Sequence, residues 1–255
     1  MKVGVFDSGV GGLTVLKAIR DRFPSLDLVY LGDTARVPYG GRSKETVQRY
    51  SLECAQFLLD KGIELLVVAC NTASALALEK LKETLDIPIV GVIEPGVKKA
   101  LEVTREGRIG VIGTKATIKS GVYQRMLEDA GATVYAKACP MFVPMIEEGL
   151  LEGEIPKKIV DHYLRDLRGK VDTLVLGCTH YPLIKHLLQE YMGEDVQVVD
   201  SAESTALTLR NLIVDEGYAN LELYFTDRSE SMDFFVEKLL GREVSYEVVP
   251  ILCKL

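Results

Sequence analysis

The sequence predicts an α/β protein with two similar doubly wound parallel-sheet domains related by internal duplication, and an active site in the cleft between them. Short apolar runs alternate with helical patterns through almost the whole chain of 255 residues. Such continuous runs indicate parallel strands that are buried on both faces of a sheet. The pattern then restarts near the middle of the chain, without a long linker or a low-complexity segment. Two closely apposed α/β halves therefore fit the sequence better than one long sheet.

The elements of the first half follow one another as strand and helix. The run "VGVF" (3–6) predicts a first strand, and Leu13, Leu16, Ile19 and Phe23 follow it at helical spacing. The next elements predicted are a strand at 27–33, a helix from about Lys44 to Leu59, a strand at 64–70, a helix ending near Leu85 and a strand at 87–93.

The second half repeats the first at a nearly constant displacement. The segment "RIGVIGTKATIKSGVYQRML" from Arg108 resembles "KVGVFDSGVGGLTVLKAI" from Lys2, which lies 106 residues earlier. Two cysteine motifs, "VVACNTAS" around Cys70 and "LGCTHYPLI" around Cys178, are 108 residues apart. A shared offset between separate motifs is typical of an internal duplication.

The end of the chain has no counterpart between the halves. The runs at 221–226, 232–240 and 244–250 predict a strand, a helix and a strand, which we expect to complete one of the sheets. We therefore predict a first domain of residues 1–96 plus 208–255, and a second domain of residues 97–207.

Composition and charge exclude several classes of function. The net charge is −7 and no run of five or six basic residues occurs, which argues against a nucleic-acid partner. No apolar stretch reaches the roughly 18 residues of a membrane span. Because a strand pattern begins at residue 3, no signal peptide is expected, and we predict a cytoplasmic protein.

Five cysteines are widely spaced along the chain. Their odd number predicts free thiols rather than a disulfide framework. The cysteines and the three histidines do not follow the spacing of zinc ligands, so no metal site is expected. We interpret Cys54, Cys139 and Cys253 as small apolar residues of the core. We interpret His162 and His186 as ordinary surface or core residues.

Cys70 and Cys178 differ from the other cysteines because each ends a buried strand where a helix is predicted to begin. A helix N-terminus lowers the pKa of a thiol. Ligands of open α/β sheets bind at the carboxyl ends of the strands. Asp7, which closes the first strand, lies at the same edge, and a buried carboxylate there needs a partner or a function. The loop "DSGVGG" (7–12) matches neither a dinucleotide fingerprint nor a P-loop.

Two equivalent thiols that approach one carbon from opposite sides suit the inversion of a stereocentre. One sulfur removes a proton from one face, while the other delivers a proton to the opposite face, and the roles exchange in the reverse direction. Each positioned acid or base contributes roughly 10²–10⁴-fold to the rate. The scheme needs no cofactor.

Five motifs together resemble bacterial glutamate racemase, of the cofactor-independent aspartate/glutamate racemase superfamily. They occur in order between residues 5 and 184: "VFDSGVGGLTVL", "GDTARVPYG", "VVACNTAS", "FVPMIEEG" and "LGCTHYPLI". The resemblance implies interconversion of L- and D-glutamate without a cofactor, a supply of D-glutamate for peptidoglycan, and a homodimer.

The same resemblance implies the roles of individual residues. Cys70 and Cys178 would be the catalytic acid/bases, with Cys70 acting on the D-enantiomer. Asp7 would assist Cys70, and Glu147 and His180 would assist Cys178. Substrate contacts are implied for Asp7, Ser8, Tyr39, Gly40, Asn71, Thr72, Thr114, Thr117, Thr179 and His180. Aspartate-specific relatives tend to carry an acid at the position of His180, so this histidine favours glutamate as the substrate.

Three other functions stay open from the residues alone. An aspartate racemase would use the same pair of thiols. A cysteine hydrolase or transferase would need only Cys178 with His180, and it would form a covalent intermediate. A binding module with two α/β lobes would bind a ligand without exchanging its α-hydrogen.

Overall fold

The computed structural model describes residues 1–214 and 217–250 as two parallel sheets surrounded by helices. Cys253 lies outside the described residues. The strands are β1 (Lys2–Asp7), β2 (Asp27–Gly32), β3 (Leu65–Val68), β4 (Ile89–Gly91), β5 (Arg108–Gly113), β6 (Thr133–Ala138), β7 (Thr173–Gly177), β8 (Gln197–Asp200), β9 (Leu221–Phe225) and β10 (Glu247–Val248).

Helices connect successive strands and cover the faces of both sheets. They are α1 (Leu13–Arg22), α2 (Lys44–Asp60), α3 (Asn71–Leu76), α4 (Leu78–Thr84), α5 (Ile93–Val103), α6 (Lys115–Ser120), α7 (Val122–Asp129), α8 (Phe142–Glu147), α9 (Glu154–Leu164), α10 (Lys185–Met192), α11 (Ser201–Thr208) and α12 (Met232–Leu240). Three short 3-10 turns cover Tyr39–Gly41, Tyr181–Ile184 and Leu209–Asn211.

The predicted fold class is confirmed, and the two halves share one strand order. The first sheet runs β10-β9-β2-β1-β3-β4 and the second runs β6-β5-β7-β8, with all paired strands parallel. The order β2-β1-β3-β4 of the first half thus recurs as β6-β5-β7-β8, as a duplication predicts. The end of the chain returns to the first sheet as β9 and β10, which confirms the prediction for the tail.

The helix predicted to run to about Leu85 is broken. It consists of α3 and α4, and Ala77 between them departs from helical geometry with φ −121° and ψ −13°. The side-chain amide of Gln48 donates a hydrogen bond to the carbonyl oxygen of Leu76, 3.1 Å away. The carbonyl at the break therefore has a hydrogen-bond partner in α2.

The strands fall within the predicted domains, since β5–β8 lie between residues 97 and 207 and the others lie outside that range. The predicted boundary after residue 96 falls inside α5, which packs against α7, β7 and β8. Helix α11 contacts both α1 and α5 and so joins the halves. The boundaries themselves stay a prediction.

A large apolar cluster extends through both halves. It includes Leu13 and Leu16 of α1, Leu187 and Leu188 of α10, and Ala206 of α11. The two sheets are therefore held against one another by a shared core. Within residues 1–214 and 217–250, no helix is both long and apolar enough to cross a membrane.

Candidate active site

The register of the strands brings the predicted site residues together in equivalent pairs. In the first sheet Phe6 of β1 pairs with Val68 of β3, so that Ser8 and Cys70 follow at the same level. In the second sheet Gly113 of β5 pairs with Gly177 of β7, so that Thr114 and Cys178 follow at the same level. Each cysteine therefore lies beside a hydroxyl residue at a carboxyl strand end, where ligands of open α/β sheets bind.

Both cysteines line one cavity between the two sheets. The sulfur-bearing residues are nearly buried, with exposed fractions of 4% for Cys70 and 7% for Cys178. The complete lining of this cavity consists of Ser8, Val37, Pro38, Tyr39, Gly40, Cys70, Asn71, Thr72, Thr114, Val143, Cys178, Thr179 and His180. Most of the predicted site residues therefore meet at one place, although they are far apart in the chain.

The Cys70 thiol is neutral in this site. Its Sγ atom lies 3.6 Å from Ser8 Oγ, to which it donates, and it accepts the backbone N–H of Ala73 at 3.4 Å, capping α3. Burial and the nearby Asp7 carboxylate raise the pKa of Cys70 to about 12. The expectation that the helix N-terminus would lower this pKa is wrong for Cys70, because desolvation outweighs the bond from Ala73.

Asp7 supports the site from behind the cavity wall. Its carboxylate is fully buried, and one oxygen accepts the backbone N–H groups of Gly9 and Gly12, each at 3.0 Å. The other oxygen accepts the hydroxyl of Thr179, at 3.3 Å, across the two halves. Burial raises the pKa of Asp7 above its ordinary value, although the positive charge of His180 opposes this. The predicted contact of Asp7 with the substrate stays a prediction, since Asp7 is not among the cavity-lining residues.

Cys178 is followed by a 3-10 turn, Tyr181–Ile184, and not directly by the predicted α-helix. Pro182 is the second residue of this turn, and α10 begins only at Lys185. The backbone N–H of Tyr181 donates to the carbonyl oxygen of Cys178 at 3.2 Å. Cys178 therefore lacks the helix cap that Cys70 has, and its polar neighbour is His180.

His180 connects Cys178 with a carboxylate. Its Nε2 atom lies 2.9 Å from Glu147 Oε1, and its side chain is almost completely buried. Burial lowers the pKa of His180, but hydrogen bonds with Cys178 and Glu147 outweigh burial and raise it to about 10. The imidazole is therefore charged at neutral pH. This places a cation beside Cys178, whereas the charged group nearest to Cys70 in effect is the Asp7 carboxylate.

Three threonines form a hydroxyl cluster between the halves. Thr72 Oγ1 lies 2.9 Å from Thr114 Oγ1 and 3.3 Å from Thr117 Oγ1, and Thr114 donates to Thr117 at 3.1 Å. Thr72 and Thr114 line the cavity, whereas Thr117 is fully buried behind them. Hydroxyl groups in such a cluster can donate to a carboxylate.

Tyr39 and Gly40 form one side of the cavity. The hydroxyl of Tyr39 donates to Asp33, a fully buried carboxylate, and so points into the first half. Gly40 lies close to the second half, since a Cβ atom on it would be 2.6 Å from Thr114 Cβ. A larger residue at position 40 would push the halves apart.

Sequence analysis missed the apolar part of the lining. Val37, Pro38 and Val143 belong to the cavity and also to an adjoining cavity of about 420 Å³, which Glu147 borders. The peptide bond from Val37 to Pro38 is cis. Val37 and Pro38 belong to the quoted motif "GDTARVPYG", so their position was a usable signal, but apolar residues suggest no particular chemistry by themselves.

Sequence analysis also did not assign Tyr123 or Asp33 to the site. Tyr123 donates a hydrogen bond to Asn71 Oδ1, and Asp33 binds Arg36, Tyr39 and Thr226. In the part of the chain that the structure describes, no three His, Cys, Asp or Glu side chains are grouped to hold a metal ion. The arrangement offers two sulfur acid/bases together with hydroxyl, amide and imidazole groups that can bind an anion.

Known proteins are similar to this chain in sequence and in fold. The family model described as Asp/Glu/Hydantoin racemase matches residues 13–209. Glutamate racemase of Aquifex pyrophilus is 63% identical over 243 residues, which cover 95% of each chain.

Solved structures agree with this match. The glutamate racemase structure from Aquifex pyrophilus has a TM-score of 0.87 and 61% identity, covering 97% of this chain and 98% of that chain. The glutamate racemase structure from Francisella tularensis in complex with D-glutamate has a TM-score of 0.89 and 34% identity, covering 98% and 97%. The chain therefore belongs to the Asp/Glu/hydantoin racemase family, among its glutamate racemases.

Proposed function

We propose that this protein interconverts L- and D-glutamate by proton transfer between Cα and two thiols, without a cofactor. The observation that carries the proposal is the pair of cysteines at equivalent strand ends of the two halves, lining one cavity. The names of the relatives support glutamate as the substrate, and so does the bound D-glutamate in the Francisella tularensis structure.

The surroundings of the two thiols differ before the substrate binds. Cys70 is neutral because burial and Asp7 raise its pKa. The cationic His180 lies beside Cys178 instead. A neutral Cys70 can donate a proton to Cα, which agrees with the proposed assignment of Cys70 to the D-enantiomer.

The chemical step is balanced without another reactant. The Cα–H bond of L-glutamate breaks as an S–H bond forms on Cys178, and the electron pair remains on Cα. The S–H bond of Cys70 then breaks as a new Cα–H bond forms on the opposite face. Asn71, Thr72, Thr114 and Thr179 hold the substrate carboxylates, with Ser8 beside Cys70. These contacts matter because the net charge of −7 does not attract an anion.

Solvent isotope labelling tests the two-base mechanism. Dialysed protein is incubated with L-glutamate in D₂O, and chiral chromatography with mass spectrometry follows both enantiomers. We expect the first D-glutamate to carry one deuterium at Cα, while the remaining L-glutamate is initially unlabelled. D-glutamate that retains the original hydrogen would instead indicate a single base, and the absence of any exchange would indicate a binding module.

Substitution of each thiol tests the roles of the two cysteines. Cys70→Ser and Cys178→Ser should each reduce racemisation by roughly a hundredfold or more, because a hydroxyl is a far weaker acid than a thiol. Cys54→Ser is the matched control, since Cys54 is a buried cysteine of α2 that does not line the cavity. An acyl-transfer activity that survives Cys70→Ser would support the cysteine hydrolase instead.

Parallel assays separate glutamate from aspartate. We expect D-product from L-glutamate and little from L-aspartate under the same conditions. Prior treatment with hydroxylamine, which traps carbonyl cofactors, should leave the activity unchanged. Preferential turnover of L-aspartate would support the aspartate racemase alternative.

We further propose that the protein acts in the cytoplasm as a homodimer and provides D-glutamate for peptidoglycan. Expression in bacteria that require external D-glutamate should restore growth without it, and Cys178→Ser should not. Light scattering of the purified protein tests the oligomeric state.

A further inference from the structure

Tyr123 lies behind the cavity and contacts the neighbour of each catalytic cysteine. It is fully buried in α7 of the second half. Its hydroxyl donates to Oδ1 of Asn71, the residue that follows Cys70 in the first half. Its ring lies against Gly177, which precedes Cys178, since a Cβ atom on Gly177 would be 3.2 Å from Tyr123 Cε2.

The hydrogen bond between Tyr123 and Asn71 has a definite direction. A phenolic hydroxyl carries one proton, and Tyr123 donates its proton to the amide oxygen of Asn71. An amide has one accepting end and one donating end. With the oxygen bound to Tyr123, the NH₂ group is the end left to face the cavity that Asn71 lines.

We propose that Tyr123 is a positioning residue that fixes the orientation of the Asn71 amide, so that its NH₂ group donates to a carboxylate of the substrate. This inference rests on the proposed function, which supplies the carboxylate. An unfixed amide could rotate and present its oxygen, which would repel an anion. Because the bond joins α7 of one half to α3 of the other, it also requires the two halves to be correctly placed.

The substitution Tyr123→Phe removes the hydroxyl and keeps the ring against Gly177. We expect KM for glutamate to rise roughly three- to tenfold, the effect of one lost hydrogen bond, while kcat changes less than twofold. The dissociation constant of D-glutamate, measured by calorimetry, should rise by the same factor. Tyr163→Phe is the matched control. It also removes a buried tyrosine hydroxyl from the second half, where that hydroxyl accepts the backbone N–H of Met141. We expect this substitution to leave KM unchanged.

Combination with Asn71→Ala separates positioning from a general structural effect. Tyr123 acts only through Asn71 in this proposal, so Tyr123→Phe should have no further effect on KM in the Asn71→Ala background. A wild-type KM in Tyr123→Phe, or effects that multiply in the double variant, would overturn the inference. Racemisation by the wild type and its retention in Tyr163→Phe would still support the proposed function.

Discussion

Cys70 is neutral and His180 is positively charged, although both side chains are buried in one small site. Burial disfavours charge on both side chains. Cys70 remains neutral because its neighbour is the carboxylate Asp7, whereas His180 becomes charged because its partners are Cys178 and Glu147. Differences between the two halves thus arise from the residues around the sulfur atoms, and not from the shared fold.

The neutral state of Cys70 has a direct chemical consequence. Alkylation by iodoacetamide requires the thiolate. With a pKa of about 12 and 4% exposure, Cys70 should react at pH 7.5 at least roughly a thousandfold more slowly than glutathione. The rate should rise about tenfold per pH unit up to pH 9. Mass spectrometry of the Cys70 peptide measures the rate, and fast, pH-independent labelling would contradict a neutral buried thiol.

The raised pKa of His180 links stability to pH. Protonation is favoured in the folded protein, since the pKa is about 10 there and 6.5 ordinarily. The stabilisation from the charged histidine is therefore fully present below pH 6.5, and it is lost as the pH rises through about 10. The difference in unfolding free energy between wild type and His180→Gln should shrink over this range in urea titrations. A difference independent of pH would show that His180 is not charged in the folded protein.

Sequence reasoning found the residues whose chemistry is visible in their type and position. Cys70 and Cys178 were predictable because each ends a buried strand within a repeated motif. Tyr123 was not predictable, because its hydrogen bond to Asn71 spans 52 residues and two halves. The raised pKa of Cys70 was missed for a similar reason: the helix cap is visible in the sequence, but the degree of burial is not.

At the scale of elements, the strands were predictable because each is a continuous apolar run. The break at Ala77 was not, because no glycine or proline marks it, and the Leu76 carbonyl there is bound by Gln48 of another helix. The 3-10 turn after Cys178 likewise replaced a predicted helix start, although Pro182 in that turn was a signal. Tertiary contacts decide these local conformations, and propensity alone does not.

The approach of α1 to the second cysteine loop depends on Gly11. A Cβ atom on Gly11 would lie 2.4 Å from Thr179 Oγ1 and 2.5 Å from His180 Nδ1. Gly11→Ala should therefore displace this loop and reduce kcat/KM by roughly a hundredfold, since misplacement by about 1 Å can have that effect. Because enantiomers have equal free energy, the loss in kcat/KM must be equal in both directions of the racemisation.

The matched control for this substitution is Gly41→Ala. A Cβ atom on Gly41 meets no heavy atom within 4 Å, and its φ lies outside the left-handed region. We expect Gly41→Ala to keep both kcat/KM and the melting temperature. Full activity of Gly11→Ala would mean that the loops tolerate a wider separation than the closely packed site implies.

At the scale of the whole molecule, the duplication predicted the repeated strand order and the cleft between the halves. The lack of a linker predicted that the halves lie close together, but the sequence did not show which elements join them. Helix α5 spans the predicted boundary, and α11 contacts helices on both sides of it. Two hydrogen bonds also cross between the halves near the cavity: the Thr179 hydroxyl donates to Asp7, and the Thr14 hydroxyl donates to the Thr179 carbonyl oxygen. Such contacts are made by elements that are distant in the chain, so no local sequence pattern predicts them.

The shared core predicts that the two halves unfold together. One apolar cluster contains residues of α1, α10 and α11, so neither half keeps its buried surface without the other. We expect a single calorimetric transition, with the calorimetric enthalpy equal to the van't Hoff enthalpy. The chain has no tryptophan, so near-ultraviolet circular dichroism of the tyrosines is the suitable optical probe.

Bound glutamate should raise the melting temperature of this single transition. A ligand that binds only the folded state adds about 2.7 kcal/mol at a concentration of one hundred times Kd. For a chain of this size, that corresponds to a rise of roughly 5–10 °C in melting temperature. Asn71→Ala should reduce the shift at the same glutamate concentration, because it weakens binding without disturbing the shared core. Two separate transitions, with only one of them moved by glutamate, would instead mean that the halves are independent domains and that the cavity belongs to one of them.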